Sequence, residues 1–596
     1  MRLASIWSLW DAARRTLIRF PGTILSGILA ASVAINLIDD HPAPERLIHL
    51  LMVAALGIPL FTALRLFWEK SPWGRPLSFS WIPLAGGVVF LFLYWQLLNH
   101  DPGDGRYLRY FQISLALHLA VALAPFLGRG ETNGFWQFNR RLFLRFFLSA
   151  IYASVFFGGL ALALAAVDHL FEVKLDEEIY PRLWLFTVFV FQTWHFLGGV
   201  PVNLADLDAD RQYPKALQIF SQYMLVPLVV IYLGILYTYM GKILLTRQWP
   251  QGWVGWLVSY AAVFGVLTLL LLHPARQERE NRWMEVFGRA FYFAVLPLLG
   301  LLFAALRERV GQYGMTERRY FLLVLGLWLV GVALYMLFSS AKNIKIVPAT
   351  LGLTALLTAC GPWGAYGVSL RSQSRRLESL LTKHGLLSDG KIVASKSAVA
   401  QEDLKEISAA VDYLVEYHGA AQLNRWDNKD WAGVTSKSQP SERTFNVSEQ
   451  FLAAMGLEYV PPWRGAASYG YYHARDDGLD IAGYDLLVPT QFYCPPDVGK
   501  DPGKYSARFG DQGRTVEILK GSNVVLVEPL EPILSRLPRP SQTTSSTVPA
   551  SDMSMEAANA SLRVRVSFTS LMVAKNANDA RSVQSGSGYL LIDSTP

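Results

Sequence analysis

His195 has the best claim to chemistry in this sequence. It stands in Gln192-Thr193-Trp194-His195, just before Gly198, Gly199 and Pro201, inside an otherwise apolar run from Leu183 to Leu204. An ionisable group in such a run is costly to hold in hydrocarbon and usually faces a partner or a cavity. Glycine and proline beside it predict a broken helix, whose exposed backbone dipoles bind ions or anionic groups. The plainer reading is an interfacial histidine bonded to a neighbouring carbonyl. His118 is a weaker intramembrane candidate, and His273, next to Pro274 at the end of a run, is weaker still.

A second polar group, Tyr313, Thr316, Glu317, Arg318 and Arg319, precedes another apolar run. Thr316 suits a helix cap and Glu317 an ion pair with an arginine, with an anionic lipid or phosphate site as the functional alternative. Asp39-Asp40 follows the first apolar run, as an acidic pair does in polyprenyl-phosphate-sugar glycosyltransferases, but the loop His41–Glu45 is far shorter than theirs. Trp249, Trp253 and Trp256, with Pro250 and Gly252, read as an interfacial aromatic belt. His473, Asp476, Asp477 and Asp480 fit no ligand spacing, so no metal is expected there. The sequence contains no P-loop, His-Glu-x-x-His or Gly-x-Ser-x-Gly pattern, and no cofactor is expected.

The elements carrying these residues are mostly membrane spans. Phe220–Met240, Trp253–Leu272, Tyr320–Phe338 and Ile346–Leu370 contain no Lys, Arg, Asp or Glu. Each reaches the roughly 17–25 residues needed to cross a bilayer. Val286–Leu306, interrupted by Arg289, is a fifth. Pro21–Ile38, Leu47–Phe67, Trp81–Leu98, Tyr107–Leu127, Leu142–Val167 and Leu183–Leu204 bring the total to about eleven. Basic residues at the N-terminus, at Lys70 and Arg75, and at Arg129, Arg140 and Arg141 alternate with acidic loops at Asp101–Asp104 and Asp176–Glu178. That alternation predicts a cytoplasmic N-terminus. Later loops break it, and Leu183–Leu204, as a re-entrant element, is the suspect. Eleven crossings would put the C-terminal domain in the periplasm.

Composition changes after Leu370. Residues 1–370 read as the transmembrane domain, 371–425 as amphipathic and connecting helices, and 426–596 as a soluble, β-rich α+β domain. Arg371–Leu387 and Gln401–Leu423 have helical spacing, with Gly419 ending the latter. Thr515–Val527 reads as a hairpin and Leu562–Phe568 as an alternating strand. The Ser, Thr and Pro content of Ser535–Ala560 predicts a disordered loop. The net charge of +7 over 596 residues lies largely in loops beside spans, which argues against nucleic acid as a partner. Cys360 and Cys494 alone supply no disulfide framework.

Several stretches carry a family resemblance: Ile219–Ile243 with Trp249-Pro250-Gln251-Gly252-Trp253, then Gln312-Tyr313-Gly314-Met315-Thr316-Glu317-Arg318-Arg319-Tyr320. Asn343-Ile344-Lys345-Ile346-Val347-Pro348, Gly361-Pro362-Trp363 and Ser369–Leu377 continue it. Together they resemble an uncharacterised bacterial membrane family, domain-of-unknown-function family 4153. The resemblance implies a polytopic bacterial membrane protein and no assigned activity. The expected function is a membrane-anchored scaffold or sensor of the inner membrane, in contact with the lipid bilayer and with a protein partner through its C-terminal domain. A transporter or permease with a site at His195, and an envelope glycosyltransferase, are the alternatives.

Overall fold

The computed structural model describes residues 6–593 apart from 40–43, 72–80, 100–104, 129, 247–252, 275–281, 396–398, 435–439, 461–466, 476–477, 494–504, 522, 539–543, 560–561 and 577–580. Asp40, Arg75, Asp101–Asp104, Arg129, Trp249–Gly252, Asp476, Asp477 and Cys494 therefore lie outside the described residues. The chain divides into two compact units, Met1–Glu458 and Tyr459–Pro596.

The first unit is helical. A short α1 (Ile6–Arg19) leads into α2 (Pro21–Asp39), α3 (Glu45–Lys70), α4 (Trp81–Asn99) and α5 (Gly105–Leu123). The 40-residue α6 (Thr132–Phe171) follows. Next come α7 (Ile179–Phe186) and α8 (Thr193–Gly198), joined by a π-helical turn, Thr187–Gln192. A second π turn, Phe220–Leu225, joins α9 (Lys215–Ile219) to α10 (Val226–Thr246). The bundle continues with α11 (Trp253–Leu271), α12 (Arg282–Tyr313), α13 (Glu317–Phe338) and α14 (Ile346–Ala359).

Eight described helices are long and apolar enough to cross a membrane: Pro21–Ile38, Glu45–Lys70, Trp81–Leu98, Gly105–Phe126, Thr132–Phe171, Lys215–Thr246, Arg282–Tyr313 and Glu317–Phe338. Gly255–Leu271 and Ile346–Ala359 are shorter apolar helices. With little hydrophobic drive between helices in lipid, close packing of small residues matters. At Gly57 of α3 a Cβ would come within 2.3 Å of Ser26 Oγ on α2.

Two expected spans take other forms. Leu183–Leu204 is helical only to Gly198, and its last residues are irregular. Ile346–Leu370 is not one span: α14 has 14 residues, about 21 Å of rise, and ends at Cys360. Gly361, at φ +76, turns the chain, and Trp363 Nε1 closes back on Leu357 O at 2.9 Å. The amphipathic α15 (Ala365–Lys383) then begins, earlier than the basic stretch suggested. A short strand pair, β1 (Leu387–Ser388) and β2 (Lys391–Ile392), leads to α16 (Gln401–His418), which Gly419 ends at φ +82. α17 (Trp431–Val434) and α18 (Pro440–Ala454) complete this unit. Because α15 packs on α13 and on α16, and α16 on α18, these helices belong to the compact unit that runs to Glu458.

The second unit is β-rich, as its alternating sequence predicts. A six-stranded sheet has the order β4 (Leu486–Tyr493), β11 (Arg581–Asp593), β10 (Leu562–Asn576), β3 (Ala467–Ala474), β8 (Thr544–Val548), with β9 (Ser554–Asn559) also on β10. A meander of β5 (Tyr505–Gly510), β6 (Thr515–Lys520) and β7 (Asn523–Pro529) supplies a second sheet. Phe492, Phe509 and Phe568 meet in the core, with Phe492 ring centroids 5.1 and 5.0 Å from the other two. Ser535–Ala560 is not a disordered loop where it is described. It holds the end of α19 (Glu531–Arg536), the parallel strand β8 on β3, and β9. Threonines suit a pleated surface despite their polarity, and Val548 and Met553 anchor the segment in the core.

Candidate functional site

Three polar clusters lie in the helical unit. The first surrounds His195. Its Nδ1 is 2.8 Å from Ser149 Oγ on α6, its ring meets the Tyr152 ring edge at 4.9 Å, and Phe191 stacks at 6.1 Å. Arg145 donates from Nε and Nη2 to His195 O at 3.1 and 2.7 Å. Arg19, paired with Glu69 at 2.8 Å, donates to Val200 O and Pro201 O, each at 2.8 Å. The break thus presents carbonyls, and two guanidinium groups already satisfy the orphan acceptors of this helix C-terminus. Gly199 makes room for this arrangement, since a Cβ there would lie 2.1 Å from Arg145 Nε. Gly198 is uncrowded by comparison.

The second is a cavity of about 1050 Å³ walled by α3, α5, α6, α11, α13 and α14. Both π turns border it, through Val188, Phe189 and Gln192 and through Phe220 and Leu225. π turns are rare and recur at functional sites. The wall is apolar apart from a few groups, chiefly His118, Asn139, Arg140 and Gln192. His118 Nδ1 lies 2.8 Å from Ser114 O one turn back. Thr193 and Phe196 reach the cavity; His195 does not line it.

Arg140 is the charged side chain in that wall. It is 9% exposed, lies over the Trp136 ring at 5.7 Å, and its Nη2 is 3.8 Å from Asp210 Oδ2. Its Nε has no hydrogen-bond partner among the described residues. The loop that carries Asp210 is held to α6: Asn133 Nδ2 donates to Asp208 O and Asp210 O at 2.9 and 2.6 Å, and Gln137 Nε2 donates to Gln212 O at 3.0 Å. Burial pushes the Asp210 carboxyl up, but the Gln212 amide and the Arg141 and Arg140 guanidiniums outweigh that and hold it below its ordinary range. The nearer partner of Asp210 is Arg141, at 2.8 Å, which leaves Arg140 less than fully paired. At the same end Lys345 Nζ donates to Phe126 O at 3.1 Å, Gly128 O at 3.0 Å and Gly130 O, capping the end of α5.

The third cluster is centred on Glu317. Thr316 occupies the N-cap of α13, but its hydroxyl makes no capping bond, and among the described residues the basic partner of Glu317 is His418 and not an arginine. Instead Ser369 Oγ on α15 donates to Glu317 Oε1 at 2.6 Å and the Tyr413 hydroxyl on α16 donates to Oε2. His418 Nε2 lies 3.4 Å from Oε1 and 3.3 Å from Ser369 Oγ, and its Nδ1 has no partner among the described residues. Burial lowers the His418 pKa and raises that of Tyr413, so the imidazole is neutral and the phenol protonated. Serine, histidine and a carboxylate invite comparison with a hydrolase. Here, however, Ser369 is fully buried and both partners meet at one histidine nitrogen, so there is no relay to a substrate-facing hydroxyl.

The remaining motif residues are structural in part. Gln312 Nε2 donates to Glu308, Gly314 turns at φ +71, and Tyr313 O accepts from Gln373 Nε2 at 3.0 Å. Arg318 is exposed, and Tyr320 donates to Trp363 O at 2.7 Å. Gly361 borders a smaller cavity of about 330 Å³ beside Gln112 and Thr358. Arg145, Ser149, Ser369, Tyr413 and His418 were not among the expected site residues. Two signals were present: a charge inside the run Leu142–Val167, and a histidine continuing the apolar stripe of Val411, Leu414 and Val415. No group of three or more His, Cys, Asp or Glu able to hold a metal occurs among the described residues.

Comparison with known proteins points to a family and to no activity. An uncharacterised protein of Pasteurella multocida (strain Pm70), PM1469, is 22% identical over 348 residues, 57% of this chain and 56% of the relative. The chain therefore spans little more than half the length of the relative it matches. No solved structure matches. The family model described as "Domain of unknown function (DUF4153)" matches residues 24–387, more than half of the chain, and the protein belongs to that family.

Proposed function

We propose that this protein is a membrane-embedded sensor that binds an anionic amphiphile, with the apolar chain in the large cavity and the acidic headgroup at Arg140. The observation that carries this reading is the unpartnered Nε of a nine-tenths-buried arginine in the wall of an otherwise apolar cavity. Buried donors left unmade are expensive, and a carboxylate or phosphate would satisfy this one with a charge-assisted bond. A volume of about 1050 Å³ is at the upper end of small-molecule sites, which run to roughly 1,000 Å³. The basic α1 and the alternation of basic and acidic early loops support an inner membrane with a cytoplasmic N-terminus, and a periplasmic second unit goes with eleven crossings. Two π turns on the cavity wall support a site that adapts to its occupant.

The test is mass spectrometry of lipids copurified with the full chain and with Arg140→Gln, whose neighbour Arg141 still holds Asp210. A roughly one-to-one anionic amphiphile in the wild type, reduced at least about tenfold in the variant, supports the reading. Identical profiles matching the bulk membrane extract would overturn it. A permease reading would instead require transmembrane flux of that amphiphile, lost in His195→Ala.

A further inference from the structure

The end of α12 and the start of α13 bring arginines together around one exposed aromatic ring. The guanidinium carbons of Arg319, Arg376 and Arg309 lie 5.6, 5.9 and 6.0 Å from the centroid of the Tyr313 ring. Arg319 and Arg376 share the Tyr313 carbonyl, donating to it at 3.3 and 3.5 Å, so the backbone holds two of the cations close together. Gln373 Nε2, on the same carbonyl at 3.0 Å and on Met315 O at 3.1 Å, and Ser372 Oγ, accepting from Met315 N at 2.8 Å, lock the loop beneath them. The carboxylate paired with this trio among the described residues is Glu406, 3.4 Å from Arg376 Nη2. Arg307, Arg318, Arg371 and Arg375 are exposed on the same segments.

Three guanidinium groups round one ring with one paired carboxylate are a repulsive arrangement unless an anion joins them. Their planar forks match the oxygens of a phosphate, which accepts paired N–H bonds from more than one arginine. Tyr313 gathers the three guanidinium groups within 6.0 Å of one ring, and a phosphate would take the N–H groups that the loop carbonyls and Glu406 leave over. The location adds to this: the cluster sits where one helix long and apolar enough to cross a membrane ends and the next begins, and basic residues at the ends of spans meet lipid headgroups.

We infer that Arg309, Arg319 and Arg376, arranged on Tyr313, form a phosphate-binding site. This site is separate from the cavity and does not depend on the amphiphile reading. Its phosphate comes either from a phospholipid headgroup or from a soluble phosphate, and the two sources are distinguishable. Full-length protein in phosphatidylcholine nanodiscs would be titrated with inorganic phosphate and followed by phosphorus NMR. In parallel, protein in nanodiscs containing phosphatidylglycerol would be ejected into a native mass spectrometer and its retained anionic lipids counted.

The variant is Arg309→Gln with Arg376→Gln, which leaves Arg319 on its loop carbonyls. Saturable binding in the first arm, weakened roughly tenfold or more in the variant, identifies soluble phosphate. Loss of one retained lipid in the second arm identifies a headgroup. The paired substitution of both arginines by lysine, which keeps charge but not the fork, restores binding only in part and checks that the fold is intact. A lipid lost through Arg140→Gln is additional to the one lost in the glutamine variant, which separates this site from the cavity. Equal binding by wild type and the glutamine variant in both arms, or no binding in either, would overturn the proposal.

Discussion

Glu317 and Glu556 each gather several partners, yet they do different physical work. Glu317 is 5% exposed and is bonded by Ser369, Tyr413 and His418, drawn from α15 and α16. Glu556, on β9, is 41% exposed at its side chain and pairs with Arg563 at 3.2 Å and with Arg565. The two networks look similar as diagrams. They differ in what water would do if a partner were lost. At Glu556 solvent replaces the missing bond, whereas at Glu317 nothing does, so the buried hub ties two helices to the start of α13 while the exposed hub adorns a strand pair.

The largest expected effect is therefore Glu317→Ala. It strands a phenol, a serine and an imidazole in the interior, and should destabilise the first unit by roughly 3–5 kcal/mol. The measurement is thermal unfolding in detergent together with amide exchange over α16. An unchanged exchange pattern would dissolve the contrast with Glu556.

A pH series sharpens it. His418 has a folded pKa below its ordinary 6.5, because burial penalises the charged ring more than Glu317 favours it. When α16 is released the imidazole takes up a proton more readily than in the folded state. Stability is then present above 6.5 and declines as pH falls through that value. The protection of α16 amides, corrected for the intrinsic pH dependence of exchange, should fall between about pH 7.5 and about pH 5.5, and His418→Gln should flatten the response. Glu556 works in a lower window. Its hydrogen bonds to Arg565 and Arg563 depress its pKa below 4.5, so its contribution is present above 4.5 and is lost as pH falls through the depressed value. The smallest effect is Glu556→Gln, under about 1 kcal/mol by denaturation and smaller in high salt.

Much of the architecture was legible because apolar length is a strong signal. The runs Leu47–Phe67 and Tyr320–Phe338 announce themselves by composition and lie within the helices Glu45–Lys70 and Glu317–Phe338. The break at Gly361-Pro362 was just as visible in the sequence, but it lies within an uncharged stretch, and apolarity masked the end of α14. In the second unit the polar strand β8 could not be told from a loop by composition, since its place beside β3 depends on a neighbour some seventy residues earlier. The sites fared unevenly for the same reason. His195 stood out as an ionisable residue in an apolar run, while its partners Ser149 and Arg145 come from a helix about 46–50 residues away. Glu317 was noticed, but Tyr413 and His418 are residues of a helix that reads as ordinary soluble sequence until it is seen packed on α15.

Chain length at the cavity wall is itself a variable. A π turn holds one residue more than the regular helix around it, so Thr187–Gln192 and Phe220–Leu225 each act as a built-in insertion. Deleting one residue from either would let the segment relax to an α-helix while the residues beyond it keep their places, because the wide turn already absorbs the extra residue. In the first case Thr193 and Phe196 stay on the cavity and His195 stays beside Ser149, while the wall at Val188 and Phe189 is redrawn. A relative with a single-residue gap at either place would thus carry the same helices around the same chamber with a locally altered wall, and alignments that forbid such a gap would pair the wrong residues across it.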